Sequence, residues 1–304
     1  MNNLFYLDHE LDIEQVWYSD TDNYLQLLAD EFDGACSIGI DKNFPARFLI
    51  PLMNLVDECH FELGSECVDR VRMIKDEKEQ ELMIEASKIN DLVVDEVINI
   101  CAKGDLTEEE VSKQLEGIYQ KHGCVGNSFE PIVAYGKNGA DNHHSGDDSR
   151  LKVGDSIVID IGGLYKGYCS DMTRTVFYKE VSPKQKTVYE LVLKAQKAAE
   201  AMIKPGVRLC DIDKCARDII AEGGYTVEFN HRLRHFIGRD VHEWCDVSQN
   251  FDLEVQEGMT FSIEPGVYLQ GEFGVRIEDL VLVTKDGCKI LNSYPKDLRI
   301  IGND

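Results

Sequence analysis

At 304 residues, with 43% hydrophobic and 29% charged side chains, the chain can bury the core of one large domain or two and carries no disorder signature. Its 32 basic and 56 acidic residues leave a net charge of −24, a surface that repels nucleic acid and anionic membranes, so neither is expected as a partner. Ten cysteines without a CxxC pair read as reduced thiols rather than a disulfide framework. The opening MNNLFYLDHELD lacks the basic-then-apolar order of a signal peptide, and no apolar run is long enough to span a bilayer. A soluble, cytoplasmic protein is expected.

Residues 1 to 70 hold 3 basic and 15 acidic residues, half of the net charge. Within them GACSIGIDKN and ARFLIPLMNL read as short buried strands of a small α/β unit. The composition changes at RVRMIKDEKEQELM. From Asp76 to about Ile100, Leu82, Met83, Ala86, Ile89, Leu92, Val93 and Val97 recur at helical spacing. Thr107, with Glu110 three residues on, predicts a capping box that opens a second helix. Strands follow at PIVAYG, SIVIDIG and TRTVFY. Ser182, Pro183 and Gln185 mark another capped helix, which ends before Lys204-Pro205-Gly206. A shorter helix fits 210–222, closed by Gly223-Gly224. TVEF, MTFSIEPGVYL and GVRIEDLVLVT read as strands, with a tight turn at Asp286-Gly287. Helices mixed with antiparallel hairpins predict an α+β fold.

An internal echo runs through the strands. GDSIVIDIG and GMTFSIEPG share the pattern G-x5-[D/E]-x-G, and each is followed by a second acid across a turn: Asp171 after Asp160, and Glu278 after Glu264. A duplicated strand and hairpin accounts for both. If the turns centre between Tyr165 and Lys166 and on Gly271, each pair of acids faces across a hairpin, where like charges are destabilising. Facing carboxylates on apolar strands need a positive charge between them, and four carboxylates with one imidazole suit two divalent cations. The imidazole comes from NHRLRHFIGRDVHEW, with His231, His235 and His242, or from DNHHSG, with His143 and His144. The others are placed to hold a substrate carbonyl or shuttle protons.

DIGGLYKGYCSDMTRT, RHFIGRDVHE, SIEPGVY and GVRIEDLVLVT, in that order, resemble the pita-bread metallopeptidases, the group of methionine aminopeptidase, aminopeptidase P and prolidase. The resemblance runs from about Asp76 to the C-terminus. It implies two pseudo-symmetric α+β halves and a site for two divalent metal ions, Mn or Co, with Zn or Fe as alternatives. The implied ligands are Asp160, Asp171, His235, Glu264 and Glu278. His143, His231, His242 and Arg276 match positions lining the substrate site in the aminopeptidase P and prolidase branch, and Glu264 is the implied proton acceptor. His144 leaves two candidates for the role of His143. The implied domains are 1–72, a shortened form of that branch's N-terminal domain, and 73–304, the catalytic domain.

The implied reaction is hydrolysis of the bond after an N-terminal residue, with Xaa-Pro peptides as substrates and a homodimer among the expected states. A creatinase-like hydrolase of non-peptide C–N bonds and a non-catalytic peptide-binding member stand as alternatives. The sequence departs from the usual pattern at Arg234, Phe236 and Arg239. The two arginines are expected to be surface or salt-bridging residues.

Overall fold

The computed structural model describes residues 16–303 apart from 33, 35, 36 and 57. MNNLFYLDHELD and Cys36 lie outside the described residues. The chain divides into two compact units, Met1–Val68 and Asp69–Asp304.

In the first unit, α1 (Tyr24–Asp30) is capped by Asn23, whose side chain accepts from the Gln26 amide. Strands β1 (Ser37–Ile40) and β2 (His60–Leu63) pair in parallel, with α2 (Ala46–Leu55) as the crossover between them. ARFLIPLMNL is thus a helix, not the strand expected from its apolar run. Parallel neighbours cannot be joined by a tight turn, and the connection required of β1 and β2 overrides the local β-like reading.

The helix α3 (Ser65–Met73) leads toward α4 (Glu77–Lys103). Asp76 and Glu79 close a capping box on α4, and Gly104 ends it in the left-handed conformation. The box of Thr107 and Glu110 opens α5 (Glu108–Lys121) as expected. Short β3 (Gly126–Asn127) precedes β4 (Ile132–Tyr135), β5 (Ser156–Ile161), β6 (Gly163–Tyr165), β7 (Tyr168–Cys169) and β8 (Met172–Tyr178). Ser182 and Gln185 cap α6 (Pro183–Met202), and α7 (Leu209–Glu222) follows. The chain then forms β9 (Arg234–Phe236), β10 (Glu243–Val247), β11 (Thr260–Ile263), β12 (Gly266–Leu269), β13 (Phe273–Arg276), β14 (Asp279–Thr284), β15 (Gly287–Ile290) and β16 (Ile300–Ile301). TVEF forms no strand; it lies in turns, with Phe229 buried in the core instead of laddered.

One sheet has the order β16-β8-β5-β4 and a second the order β10-β9-β11-β14-β15. Val93, Val97, Val111 and Leu115 of α4 and α5 pack on Val133, Ile157 and Ile159 of the first sheet. Val188, Val192, Ile212 and Ala216 of α6 and α7 pack with Phe236, Phe261 and Val281 of the second. Each such valine, leucine, isoleucine or phenylalanine, once fully buried, contributes roughly 1.5–3 kcal/mol. The result is two similar halves, each a sheet backed by two helices.

The glycine echo has a structural counterpart. Gly154 (φ +88°) and Gly258 (φ +86°) both take left-handed turns into β5 and β11. The Gly154 amide donates to the Tyr178 carbonyl at 2.9 Å, and the Gly258 amide to the Val283 carbonyl at 3.0 Å. Among the described residues, no helix is long and apolar enough to cross a membrane.

Candidate metal centre

The second pair of acids sits as its hairpin predicts. Ile263 faces Asp279 across β11 and β14, and Gly266 faces Arg276 across β12 and β13. Glu264 and Glu278, in the breaks between those strands, therefore lie opposite each other. The first pair is displaced. Asp160 faces Thr173, not Asp171, because the β6–β7 hairpin turns at Lys166-Gly167, both with positive φ, one residue beyond the expected centre. Asp160 and Asp171 become diagonal neighbours, still within reach of one centre.

All four carboxylates are buried, as is His235. The imidazole of His235 donates from Nδ1 to the Phe236 carbonyl at 3.0 Å, which leaves the Nε2 lone pair facing Asp171 Oδ2 at 3.6 Å. Burial, helped by the charge of Arg234, holds this histidine's pKa well below its usual value and keeps it neutral. Ligand atoms of Asp171, His235 and Glu278 lie within 4.8 Å of one another.

The electrostatics are those of a site built around positive charge. Burial, with Glu278 and Asp160 nearby, pushes the Asp171 carboxyl well above the usual range. Burial and Asp160 raise Glu278 to about 7. Asp160 Oδ1, Asp171 Oδ1, Glu264 Oε2 and Glu278 Oε1 are buried without hydrogen-bond partners. Oxygens left open in this way, beside an imidazole lone pair, fit divalent cations of hard to borderline character.

Around this core, Arg276 donates to Asp160 Oδ2 at 2.6 Å, to Thr173 Oγ1 at 3.0 Å and to the Tyr268 hydroxyl at 2.9 Å. His231 donates from Nδ1 to the Arg232 carbonyl at 2.7 Å, so its Nε2 accepts from the Tyr268 hydroxyl at 3.0 Å. Asp160, Arg276, Tyr268 and His231 thus form one chain of hydrogen bonds. Thr173 Oγ1 donates in turn to Glu278 Oε2 at 2.7 Å.

Tyr268 and Thr173 were not singled out from the sequence. Their signal is the period of two: Glu264, Gly266 and Tyr268 share one strand face, as do Asp171, Thr173 and Thr175. A Cβ on Gly266 would sit 2.4 Å from the Tyr268 hydroxyl, so that glycine makes room for the ring.

A cleft of about 260 Å³ opens onto Asp160 and Asp171 and is lined by His143, Arg234, His235 and His242, among others. His242 is exposed and packs edge-on against the His235 ring, with centroids 4.2 Å apart. His144 reaches the same cleft, but its Nε2 is bonded to the buried Glu108 at 2.7 Å. Glu108 also accepts from the Tyr135 and Asp147 amides, anchoring the loop that presents His143. Arg239 is exposed. Arg234 does not take a surface position: it is half-buried and lines the cleft.

A family model, Metallopeptidase family M24, matches residues 81–285. An Xaa-Pro dipeptidase of Pyrococcus horikoshii is 39% identical over 273 residues, 88% of this chain and 78% of that one. A Bacillus subtilis relative is 45% identical over 241 residues, 79% of this chain and 66% of its own length. Among solved structures, the prolidase from Pyrococcus horikoshii aligns with a TM-score of 0.86 at 38% identity, covering 90% of this chain and 79% of that one. The α+β architecture with repeated halves implied by the resemblance is the fold this similarity shows.

Proposed function

The chain belongs to metallopeptidase family M24, and on that premise we propose that it hydrolyses the bond after the N-terminal residue of short Xaa-Pro peptides. The observation that carries this reading is the convergence of Asp171, His235 and Glu278 within 4.8 Å, beside an open cleft. The name of the Pyrococcus horikoshii relative, Xaa-Pro dipeptidase, supports proline as the second residue. A cleft of about 260 Å³ suits a di- or tripeptide.

Asp160, Asp171, His235, Glu264 and Glu278 would hold the divalent ions. Such ions lower the pKa of water toward neutrality and so supply a nucleophile. Glu264 Oε2, free of protein donors, takes the proton released during attack. Both nitrogens of His231 are engaged, so His242, exposed in the cleft, is the imidazole that stabilises the developing oxyanion. Arg276 holds Asp160 in place and, through Tyr268, orients His231. His143 lines the substrate side of the cleft, its amide tied to Asp141 Oδ1 at 3.0 Å.

A reducing cytoplasm is the compartment we propose, since among the described residues nine cysteines are free thiols. The test of the activity is hydrolysis of an Xaa-Pro dipeptide, an Xaa-Pro-Yaa tripeptide and a Met-Ala peptide, side by side, with Mn²⁺ or Co²⁺. Cleavage of the proline peptides is expected. Cleavage of Met-Ala alone would overturn the proline reading, and no cleavage of any peptide would favour a binding or non-peptide role.

A further inference from the structure

His242 is presented to the cleft by the 237–242 loop, which joins β9 to β10, and the next residue, Glu243, is where that loop is fastened. The Glu243 side chain is only 4% exposed, and both of its carboxylate oxygens are engaged. Oε1 accepts from the Arg239 amide at 3.0 Å, which closes the loop on itself, and from Arg72 Nη2 at 2.7 Å. Oε2 accepts from Lys75 Nζ at 2.9 Å. A Cβ on Gly238 would come within 2.7 Å of Glu243 Oε1, so the loop leaves this carboxylate its space by having glycine there.

The two cations come from outside the loop. Arg72 lies in α3 and also donates to Asp240 Oδ2 at 2.7 Å, so one guanidinium spans two acids of the loop region. Lys75 lies between α3 and α4 with its side chain 1% exposed, and Glu243 is the counter-charge that offsets its burial. Its backbone is fixed independently. The Lys75 amide donates to the Gly258 carbonyl at 2.9 Å, and Ile74 bridges Met259 at the entry to β11. A buried ammonium cannot give up its partner without a large desolvation penalty, so this pair holds its geometry where an exposed one would not. His242 and Glu243 are consecutive. Whatever holds the carboxylate also holds the backbone from which the imidazole projects against the His235 ring.

We propose that Glu243 is a positioning residue: clamped by Lys75 and Arg72, it fixes the 237–242 loop so that His242 stands over the reacting carbonyl. Glu243, Lys75 and Arg72 stand outside the cleft lining and act through His242, not on the substrate. This rests on the reading of His242 as the imidazole that stabilises the oxyanion.

The experiment compares wild type with Glu243→Gln, with Lys75→Met and with the charge-balanced double variant Lys75→Met/Glu243→Gln, each with and without His242→Ala. Hydrolysis of an Xaa-Pro dipeptide with Mn²⁺ is followed, and bound metal is counted. Each change is expected to lower kcat by roughly 5–50-fold, since a small misplacement of a catalytic group costs up to about 10²-fold. KM should stay within about twofold, and metal content should match wild type. In the His242→Ala background the same changes should lower kcat by less than about twofold, because no imidazole is left to misplace. An equal loss in both backgrounds is the mark of a merely structural role and overturns the proposal. So does a loss of metal that tracks the loss of turnover. A slow His242→Ala beside fully active Lys75→Met and Glu243→Gln overturns the proposal alone. Wild-type turnover by His242→Ala, or no hydrolysis by any form, removes the reading of His242 and the proposal with it. Where a buried variant does not fold, Arg72→Met replaces it, at a side chain 31% exposed, and must show the same dependence on His242.

Discussion

Removing metal should invert the pH dependence of stability. Glu278 is fully buried, with its carboxyl raised to about 7 from an ordinary 4.5, first by burial and then by Asp160. Without a cation the native state keeps a proton on this group that the unfolded chain releases between those two pH values. Its contribution is complete below about pH 4.5 and is lost as pH rises through about 7, at roughly 1.4 kcal/mol per pH unit. The loss for Glu278 alone is about 3 kcal/mol, and Asp171, shifted in the same direction, adds to it. For a unit of this size that corresponds to a fall of roughly 6–12 °C in Tm between pH 5 and 8. With Mn²⁺ present the carboxylates are neutralised by the ion, and their share of the fall should vanish. Thermal unfolding followed by circular dichroism, with EDTA and with Mn²⁺ across that range, measures it. Glu200 is also raised to about 7 but contacts Lys296 and Gln196 elsewhere, so it acts equally in both conditions and cancels in the difference. Identical slopes with EDTA and Mn²⁺, or an EDTA slope that Glu278→Gln leaves undiminished, would refute the reasoning.

Asp171→Ala should abolish both turnover and tight Mn²⁺ binding, whereas His242→Ala should keep the ion and lower kcat by about 10²–10³-fold; assays paired with metal counts separate the two. Tyr268→Phe breaks the link between Arg276 and His231 and should reduce kcat/KM by roughly 10–100-fold at unchanged metal content, since Tyr268 contacts the positioning arginine and not the ligand cluster. Thr173→Val leaves Arg276 Nε and Glu278 Oε2 without their buried partner and should destabilise the chain by about 1–3 kcal/mol, measured by denaturant titration.

Much of this arrangement was legible because local rules carry it. The capping boxes at Thr107 and Ser182 form as written, since a side-chain oxygen three residues before a Glu or Gln satisfies amides that nothing else reaches. The echo was legible because the same backbone need, a left-handed glycine before a buried strand, arises twice. The first hairpin turns at Lys166-Gly167, one position beyond the centre its sequence suggests. Gly167 was the available sign, since a two-residue turn with both φ values positive favours glycine at its second place. ARFLIPLMNL and TVEF failed for a different reason. Short apolar or β-branched runs take their structure from what they pack against, not from their own periodicity. Arg234 was read by residue type as a surface or salt-bridging arginine. Its place in the cleft wall comes from the fold that brings β9 beside the carboxylates, and no spacing rule encodes that.

Asp160 and Asp171 belong to one half of the repeated fold, and His235, Glu264 and Glu278 to the other. At those residues the halves meet along a seam, one of several contacts between them that include the pairing of β16 with β8. The Glu278 amide donates to the Thr173 carbonyl at 3.1 Å, and Thr175 Oγ1 accepts from the Arg276 amide at 3.1 Å while donating to its carbonyl at 2.8 Å. Prising the halves apart breaks this seam and parts Asp171 from Glu278 in the same movement. Loss of the ion and opening of this seam are therefore coupled. A chain nicked in the Lys179–Ser182 connection should hold its two pieces together more tightly with its metal than without it.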